Sequence, residues 1–373
     1  MSIYLDNAAT TFPKPNSVIK SVNECIREYC GNAGRSGHPL SNKSAEQIYA
    51  CRCEVCSFFH FDTPERVVFC KNASEAINLA VHAYYSTNCH VLYSDLEHNA
   101  VRRKILSLSK QGLVCADMFS HMGNVIENIK NLANTNTRMI VCTEASNVSG
   151  FCMPIKEISD FCKDNNIDFI IDGAQGAGHC GIDLSRMYFT AYCASAHKGL
   201  YGIQGVGFAI MAKDPMREFL YGGTGVESFS DGMPAFLPEK LEAGTLATPA
   251  IVGLKAGLCF LKDHVNELEY ARNLADLFCE NLKNMEDISV YSVENNACAI
   301  VSFLSKSKST EYLAQELCDR GIYTRAGYHC APTAHIALGT EKTGLVRASF
   351  GLFNSDREVK RATDAVYLAI HSL

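Results

Sequence analysis

The sequence predicts an α/β fold, in which a large domain has a mainly parallel sheet sandwiched by helices and a smaller domain is of the α+β type. Short apolar runs alternate with helical segments through most of the chain, as in parallel sheets whose strands are joined by crossover helices. The 373 residues also exceed what one core usually holds, so we expect two domains. We predict a large domain over residues 15–242 and a small domain made of residues 1–14 and 243–373.

The chain begins with a short apolar segment, which Pro13 and Pro15 separate from the first helix. The helices expected in the large domain are Val18–Tyr29, Ser44–Phe59, Ala76–Tyr84 and one from about His98. The expected strands are Val67–Cys70, His90–Ser94, Arg138–Thr143, Asp168–Ile171, Phe189–Ala194 and Val206–Ala212. The expected loops are the glycine-rich stretch Gly31–Pro39 and the segment Asp231–Pro238.

The small domain is less regular in sequence. Residues Glu242–Pro249 are expected to open a helix that runs to about Lys262 and bridges the two domains. The other elements predicted there are strands at Cys298–Leu304 and Gly344–Phe350, and helices near Thr310–Arg320 and Asp356–His371.

Composition excludes several classes of partner. The chain carries 34 Lys and Arg against 40 Asp and Glu, a formal charge of −6, with no long run of either sign. Binding to nucleic acid or to an anionic membrane is therefore not expected. Residues Met1–Asn7 lack the pattern of a signal peptide, and no apolar segment has the length of a membrane span. We expect a cytoplasmic protein.

Eighteen cysteines are scattered along this long chain, which is unlike the dense pattern of a secreted disulfide scaffold. We expect mostly reduced thiols in the core. Cys51, Cys53 and Cys56 are close enough in sequence to suggest a soft-metal site, but no second cysteine or histidine pair stands at zinc-site spacing. We favour packing for all three, with Cys53 and Cys56 one helical turn apart on a buried face. No metal is predicted.

The stretch Ser195–Gly207, SAHKGLYGIQGVG, places Lys198 just after a predicted buried strand. Desolvation lowers the pKa of an amine and makes it a nucleophile suited to Schiff-base chemistry, and the glycines allow close approach of a ligand. The alternative is an exposed lysine in a glycine-rich turn. A dinucleotide loop ranks low, because a strand rather than a helix follows these glycines.

Two further strand ends carry polar residues. Asn72–Glu75 lies between a strand and a helix, so it is either an anion site at the helix N-terminus or a turn that Ser74 caps. Asp172 follows the buried run Phe169–Ile171, where an unpaired carboxylate would be costly. It either caps a loop or pairs with a protonated ring nitrogen, which makes a pyridine an electron sink.

Cys330 is the best candidate for a reactive thiol among the cysteines. It stands in a loop bracketed by Gly327 and Pro332, within the stretch Thr324–His335 and close in sequence to Arg325 and His329. Nearby positive charge lowers the pKa of a thiol and raises its thiolate fraction. A buried thiol in a turn is the alternative.

With these motifs in order along one chain, the sequence resembles the cysteine desulfurases, which are pyridoxal 5′-phosphate (PLP) enzymes of the class V aminotransferase superfamily and of fold type I. The resemblance runs from YLDNAATT at Tyr4 to VRASFGLFNS at Ser355. It implies that Lys198 carries the cofactor covalently, that Asp172 pairs with the pyridine nitrogen and that Gln175 bonds the phenolic oxygen. His98, in LEHNA, corresponds to the histidine that stacks on the ring and moves protons.

The resemblance also assigns the phosphate and substrate positions. The phosphate-binding positions are Ala73, Ser74, Ser195 and His197, and Thr245 corresponds to the residue that reaches the phosphate from the other subunit of a homodimer. Asn147 and Arg347 correspond to the residues that hold the substrate carboxylate, and Cys330 to the nucleophile that accepts sulfur. The family usually has two adjacent threonines where this chain has Ala73 and Ser74, so one side-chain contact to the cofactor is missing at residue 73.

The short RxGxHC loop around Cys330 is similar to that of the SufS-like group. The activity implied is conversion of L-cysteine to L-alanine, with sulfur left on Cys330 as a persulfide for an acceptor protein in iron–sulfur cluster or other sulfur-compound biosynthesis. The alternatives are a selenocysteine lyase acting on L-selenocysteine, and another class V enzyme such as a transaminase or β-lyase. A non-enzyme alternative is a PLP-binding sulfur-carrier partner without turnover.

Overall fold

The computed structural model describes residues 2–34, 36–293 and 296–372. Its strands are β1 Ile3–Tyr4, β2 Val67–Cys70, β3 Cys89–Ser94, β4 Val114–Phe119, β5 Thr137–Thr143, β6 Asp168–Asp172, β7 Ala191–Ser195, β8 Gly207–Met211, β9 Ile288–Val290, β10 Ile300–Ser305, β11 Ile322–Tyr323, β12 Arg325–Gly327 and β13 Leu345–Ser349. Its α-helices are α1 Asn16–Glu24, α2 Pro39–Phe59, α3 Ala73–Tyr84, α4 Asn99–Lys110, α5 Val125–Leu132, α6 Ile155–Asp164, α7 Thr248–Asp263, α8 Glu267–Lys283, α9 Thr310–Asp319, α10 Pro332–Ala337 and α11 Asp356–His371.

A few predicted segments include positions outside the described residues. These are Arg35 in the predicted loop Gly31–Pro39, and Met1, Glu294, Asn295 and Leu373 in the predicted small domain. Among the residues that are described, none of the helices combines the length and the apolar character that a membrane crossing requires.

The larger sheet has seven strands in the order β2-β8-β7-β6-β5-β3-β4. All neighbours pair in parallel except β8, which is antiparallel to both β7 and β2. Because the parallel strands end at one edge, the residues that follow β3, β5, β6 and β7 meet there. The site described below lies at this edge.

Alternate residues of the central strands face opposite helical layers. Ile140 and Phe169 belong to one apolar cluster, which also contains residues of α2, α6 and α7. Their sequence neighbours Val141 and Ile170 belong to a second cluster with α3 and α4. The sheet is therefore covered on both faces, and the sequence prediction of an α/β sandwich is confirmed.

A second sheet has four antiparallel strands in the order β12-β13-β10-β9. Its core contains side chains of α8, α9 and α11 together with Ile3 and Leu5 from the start of the chain. Strand β1 pairs in parallel with β11. The division into residues 15–242 against 1–14 and 243–373 remains a prediction. Helix α7 packs on α1 and α2, which favours placing it with the larger unit.

The strands predicted for the larger sheet are present with ends that differ by at most two residues, but β4 was not predicted. Its sequence VCADMF is only partly apolar, since it forms the edge of the sheet and exposes several side chains. The predicted helix Val18–Tyr29 is α-helical only to Glu24, and residues Cys25–Tyr29 form a π-helical turn.

The cysteines are all free thiols, but only half of the eighteen are buried, so the expectation of mostly core thiols was too broad. In α2, Cys51 and Cys56 are buried as expected, whereas Cys53 is exposed. Cys51 and Cys56 lie five residues apart on the face that meets the sheet, and Cys53 points away from it because a residue two positions on lies on another side of a helix. No group of three or more metal-binding side chains occurs in the described part of the chain.

Candidate active site

A cavity of about 280 Å³ lies at the carboxyl edge of the larger sheet, where the β12–α10 loop and the start of the chain close over it. It brings together most of the site residues expected from sequence, although they are spread over almost the whole chain. The cavity is lined by Ala73, Ser74, His98, Asn147, Asp172, Gln175, Ser195, His197, Lys198, Cys330 and Arg347. Thr245 is exposed and does not line it.

Lys198 follows β7 and faces the cavity. Burial lowers the pKa of its amine to about 8, although the charge of Asp172 acts in the opposite direction. The turn after it is tight, because a Cβ atom at Gly199 would lie 2.3 Å from the carbonyl oxygen of Ala177. The lysine is thus held at the strand end in a state that is partly neutral near physiological pH, which is what a nucleophilic amine requires.

Asp172 ends β6 and is 2% exposed. Its Oδ1 atom accepts a hydrogen bond from the backbone N–H of Ala174 at 2.9 Å. Burial raises the pKa of this carboxyl group, and the Ala174 bond and the charge of Lys198 oppose that shift. Gln175, one turn on, has an Oε1 atom that is buried without a hydrogen-bond partner among the described residues.

Two buried glutamates near Asp172 were not found from the sequence. Glu97 accepts hydrogen bonds from the Ser94 hydroxyl and from the backbone N–H of Thr143. Glu144 accepts one from the hydroxyl of Tyr192 at 2.8 Å. Burial raises the pKa of each carboxyl group to about 8. No sequence pattern distinguishes a buried acid from the exposed majority, so only the fold reveals them.

The turn before α3 is capped by Asn72 rather than by Ser74, which corrects one of the two sequence interpretations of this turn. The side chain of Asn72 accepts from the backbone N–H of Glu75 at 3.0 Å. A cap must precede the first helical residue, and Ser74 is already the second residue of α3. Strand β8 approaches this turn so closely that a Cβ atom at Gly207 would lie 2.5 Å from the carbonyl carbon of Asn72.

The far side of the turn is also polar. The backbone N–H of Ala73 donates to Ser195 Oγ at 3.4 Å. His197 has a buried Nδ1 atom without a hydrogen-bond partner in the described structure, and burial lowers the pKa of its imidazole to about 4. A helix N-terminus, a hydroxyl and a neutral imidazole therefore surround one end of the cavity, which suits an anion.

His98 is the N-cap residue of α4, and its Nδ1 atom accepts from the backbone N–H of Ala100 at 3.0 Å. This bond requires an unprotonated Nδ1, so the single proton of the neutral ring is on Nε2. Burial, with the charges of Lys198 and Arg325, lowers the pKa of the imidazole to about 4. The ring is therefore fixed as one neutral tautomer.

Arg347 lies on β13 and is 1% exposed. Its guanidinium donates from Nη1 to the Asn147 carbonyl oxygen at 2.9 Å, and from Nη2 to Asp6 Oδ1 at 2.9 Å. Its Nε atom is buried without a partner among the described residues. Asp6 was not predicted as a site residue, because its distance of 341 residues from Arg347 hides the pairing in the sequence.

Cys330 is exposed, and both it and His329 have left-handed backbone conformations, with φ of 58° and 49°. The guanidinium of Arg325 contacts its thiol, with Nη2 at 3.9 Å from Sγ. The loop is fixed from two sides. The backbone N–H of Asn99 donates a hydrogen bond to the Cys330 carbonyl at 2.7 Å. Asn147 Nδ2 donates one to the His329 carbonyl, also at 2.7 Å. Cys330 is therefore accessible on an anchored loop.

Comparison with known proteins agrees with this geometry. A family model described as Aminotransferase class-V matches residues 3–362. The chain belongs to this family. Class V members depend on pyridoxal 5′-phosphate, and the larger sheet with its helical layers is that of the fold type I enzymes, as the resemblance implied.

Several class V relatives are similar over almost their full length. A Methanothermobacter thermautotrophicus protein described as "Probable cysteine desulfurase" is 29% identical over 375 residues, which cover 96% of this chain and 92% of that protein. The "Cysteine desulfurase CsdA" of Escherichia coli K12 is 28% identical over 386 residues, covering 100% and 94%.

Solved structures of class V enzymes are similar as well. The E. coli cysteine desulfurase CsdA in its S-sulfonic acid form has a TM-score of 0.90 and 26% identity, covering 99% of this chain and 94% of that one. The apo cysteine desulfurase of Thermococcus onnurineus NA1 has a TM-score of 0.91 and 26% identity, covering 100% and 95%.

The residues of the cavity fit the class V cofactor. An amine of lowered pKa at the partly buried Lys198 and a buried carboxyl at Asp172 face the same space. Gln175 and His197 each leave a buried polar atom without a partner among the described residues, which a ligand with hydrogen-bonding groups would satisfy. The anion-binding end at Ala73 is of the kind that a phosphate requires.

Proposed function

We propose that this protein is a PLP-dependent cysteine desulfurase that converts L-cysteine to L-alanine and receives the sulfur on Cys330. The observation that carries the proposal is the exposed thiol of Cys330 on a loop that borders the same cavity as Lys198. A transaminase or a β-lyase has no use for a protein thiol there. The full-length similarity to proteins described as cysteine desulfurases supports the same assignment.

The cofactor-binding roles are part of the proposal. Lys198 would hold PLP covalently, Asp172 would pair with its ring nitrogen and Gln175 with its phenolic oxygen. The residues proposed for the phosphate are Ala73, through its N–H, with Ser74, Ser195 and His197. When bound, PLP withdraws electrons from the α-carbon of an amino acid, and the negative charge of Asp172 keeps the ring nitrogen protonated for that purpose.

The substrate-binding roles use the buried arginine. Arg347 Nε has no partner among the residues that the structure describes, and the guanidinium would bind the substrate carboxylate together with the side chain of Asn147. Once bound, the amino acid would lose its α-proton to Lys198 or to His98. Lys198 is suited to this step because burial lowers the pKa of its amine to about 8. His98, as a neutral ring with its proton on Nε2, is placed to donate that proton, and it acts as the base only if Nδ1 gives up the bond from Ala100.

The sulfur step is assigned to Cys330. Its thiolate would attack the sulfur of the substrate, so that an S–S bond forms as the substrate C–S bond breaks, and the electron pair of that bond passes to the carbon skeleton. Protonation of that carbon then gives alanine, and the persulfide stays on Cys330. Arg325 Nη2 lies 3.9 Å from the Sγ atom that receives the sulfur.

The decisive experiment compares wild type with Cys330→Ala and with the control Cys318→Ala, an exposed cysteine on α9. Alanine release from L-cysteine should fall to near background in Cys330→Ala only. Mass spectrometry should find the persulfide on Cys330 in the wild type. Normal alanine release by Cys330→Ala would refute the persulfide route, and wild-type turnover of L-selenocysteine alone would replace the proposal with a selenocysteine lyase.

We also propose a homodimer in which Thr245 reaches the phosphate of the partner's site. Thr245 is exposed and is not part of its own cavity, which is the arrangement that such a role needs. A hybrid of one Lys198→Ala subunit and one Thr245→Ala subunit tests it. If Thr245 acts across the interface, the hybrid has one fully wild-type site and binds PLP there with wild-type affinity. If it acts within its own subunit, the remaining site shows the weaker affinity of Thr245→Ala.

A further inference from the structure

A pair of thiols lies beside the active site but outside the proposed mechanism. Cys152 Sγ and Cys180 Sγ are 3.8 Å apart. Cys152 follows β5 and forms an isolated antiparallel bridge with Ala145, whereas Cys180 belongs to the segment that follows β6. Cys152 is exposed and Cys180 is half-buried, so a small reagent reaches the pair from the Cys152 side.

Each thiol is on a segment that carries cavity residues. Asn147 lies between the bridge residues Ala145 and Cys152. The backbone N–H of Cys180 donates to the Gly176 carbonyl at 2.9 Å, directly after Gln175. A third thiol, the buried Cys298, donates to the Gln175 carbonyl at 3.4 Å. Each thiol is therefore only five residues along the chain from a residue that lines the cavity: Cys152 from Asn147, and Cys180 from Gln175.

We propose that Cys152 and Cys180 form a redox-sensitive dithiol, whose disulfide crosslinks the segments carrying Asn147 and Gln175 and thereby slows turnover. The sulfur atoms must approach from 3.8 Å to about 2.05 Å to bond, so one or both segments must move. Displacements of about 1 Å in a site of this kind are enough to reduce turnover. The effect on turnover rests on the proposed desulfurase function, whereas the crosslink itself does not.

The oxidant is a small disulfide, RSSR. The Cys152 thiolate attacks one of its sulfur atoms, which forms a mixed disulfide and releases RS⁻. The Cys180 thiolate then attacks the sulfur of Cys152, which forms the protein disulfide and releases the second RS⁻. The two protons lost by the cysteines pass to the two leaving thiolates, so the cysteines are oxidised and RSSR is reduced to two RSH. A reducing thiol reverses both steps.

Oxidation is favoured over metal binding at this cluster, since no metal-binding group of three side chains occurs in the described residues. The contact with Cys180 and burial raise the pKa of the Cys152 thiol well above its usual range. The thiolate fraction is therefore small at neutral pH, and the reaction should accelerate as the pH rises.

The first test maps disulfides in the holoenzyme after incubation with oxidised glutathione at pH 7 and pH 9. Trypsin cleaves after Lys156 and Lys163, so Cys152 and Cys180 leave on different peptides that only a disulfide joins. We expect this crosslinked peptide at both values of pH, and faster at pH 9. A Cys180–Cys298 peptide, or Cys152 that remains glutathionylated without closing the disulfide, would overturn the proposal.

Control variants make the result specific. Cys152→Ser and Cys180→Ser should each lack the crosslinked peptide, and Cys115→Ser, which removes an exposed cysteine on β4, should keep it. Cys25 contacts Cys30, so these two thiols are an internal comparison for nonspecific oxidation. If Cys25 and Cys30 crosslink at the same rate as Cys152 and Cys180, then Cys152 and Cys180 have no special role in oxidation.

The second test measures alanine release before and after oxidation. Wild type should lose roughly tenfold to a hundredfold in turnover and recover it with dithiothreitol, whereas Cys152→Ser should keep its rate. An equal loss of turnover in Cys152→Ser would mean that oxidation of another thiol, such as Cys330, causes the loss. That result would refute the proposal that the Cys152–Cys180 disulfide slows turnover. Failure of the proposed function is separate, because it appears as no alanine release from the reduced wild type.

Discussion

Asp6 Oδ1 accepts a hydrogen bond from Arg347 Nη2 at 2.9 Å, and this bond joins the start of the chain to a buried arginine at the active site. Burial lowers the pKa of the guanidinium, and the charge of Asp6 opposes that shift. The same carboxylate competes with the anion that we propose Arg347 binds. Asp6 therefore both stabilises the charge of Arg347 and limits its affinity for the substrate carboxylate.

Asp6→Asn removes the charge but keeps an acceptor oxygen for Arg347. We expect the KM for L-cysteine to fall by up to about tenfold, because one charged hydrogen bond is worth about 1.5 kcal/mol. We expect the free energy of unfolding to fall as well, by about 1–3 kcal/mol, because Arg347 loses the compensation of its buried charge. Steady-state kinetics and denaturant titration measure the two effects.

The control is Asp214→Asn, which neutralises an exposed aspartate paired with Arg66. This variant should leave the KM for L-cysteine unchanged. Its free energy of unfolding should change by no more than the few tenths of a kcal/mol typical of a surface ion pair. A KM that rises in Asp6→Asn, or one that changes equally in both variants, would contradict competition at Arg347.

The pKa of Lys198 gives a pH dependence for cofactor capture. Burial lowers this pKa to about 8, so the reactive neutral amine becomes the major form as the pH rises through 8 rather than through 10.5. The rate of PLP capture by the apoprotein should therefore rise about tenfold per unit below pH 7 and level off above about pH 9. Stopped-flow absorbance measures this rate.

Lys14 is the control for this profile, since burial lowers its pKa to about 7 and its Nζ atom donates to the His197 carbonyl at 2.9 Å. Lys14→Arg should keep the profile, whereas Lys198→Ala should abolish covalent capture and turnover. A wild-type rate that still rises at pH 10 would show that Lys198 has an ordinary pKa.

Residue 73 is expected to limit the affinity for the cofactor. Ala73→Thr adds a hydroxyl at the anion-binding end of the cavity, where one charged hydrogen bond is worth about 1.5–3 kcal/mol. The Kd of PLP, measured by titration of the apoprotein, should fall about tenfold or more. Ala73→Val has nearly the same shape without the hydroxyl, and an equal gain in that variant would assign the effect to packing.

His98 has two roles that substitution can separate. His98→Asn keeps a side chain that caps α4 well, so stability should change by less than about 1 kcal/mol. Turnover should fall by about 10²–10⁴ if the ring moves a proton. Because the pKa of His98 is about 4, its titration should contribute no change in the wild-type rate between pH 5 and pH 8. Near-normal turnover in His98→Asn would leave Lys198 as the base.

The sequence was most informative where a residue type and its local surroundings are both unusual. Lys198 stands after an apolar strand among glycines, and Asp172 ends a fully apolar run, so each could be singled out before its neighbours were known. Their positions at one edge of the sheet follow from the parallel pattern. The capping of α3 was less certain, because Asn72 and Ser74 are both good capping residues and only the start of the helix decides between them.

The features that were missed depend on contacts between distant parts of the chain. Asp6 has no local sign of its pairing with Arg347, and Cys152 and Cys180 are 28 residues apart on separate loops. Glu97 is buried because it lies between the ends of β3 and β5, where it bonds to Ser94 and Thr143. The hydrophobic periodicity of the sequence does not indicate that this glutamate is buried. The role of Thr245 depends on a second subunit and remains a prediction.

The pairing of β1 with β11 also has a consequence for biosynthesis. Ile3 and Tyr4 bond to a strand that begins at Ile322, and Asp6 meets Arg347 later still. At about 5–20 residues per second, β1 is synthesised roughly 16–64 s before its partner strand. A nascent chain thus holds β1 unpaired until β11 has been synthesised, and the bond between Asp6 and Arg347 forms only after that.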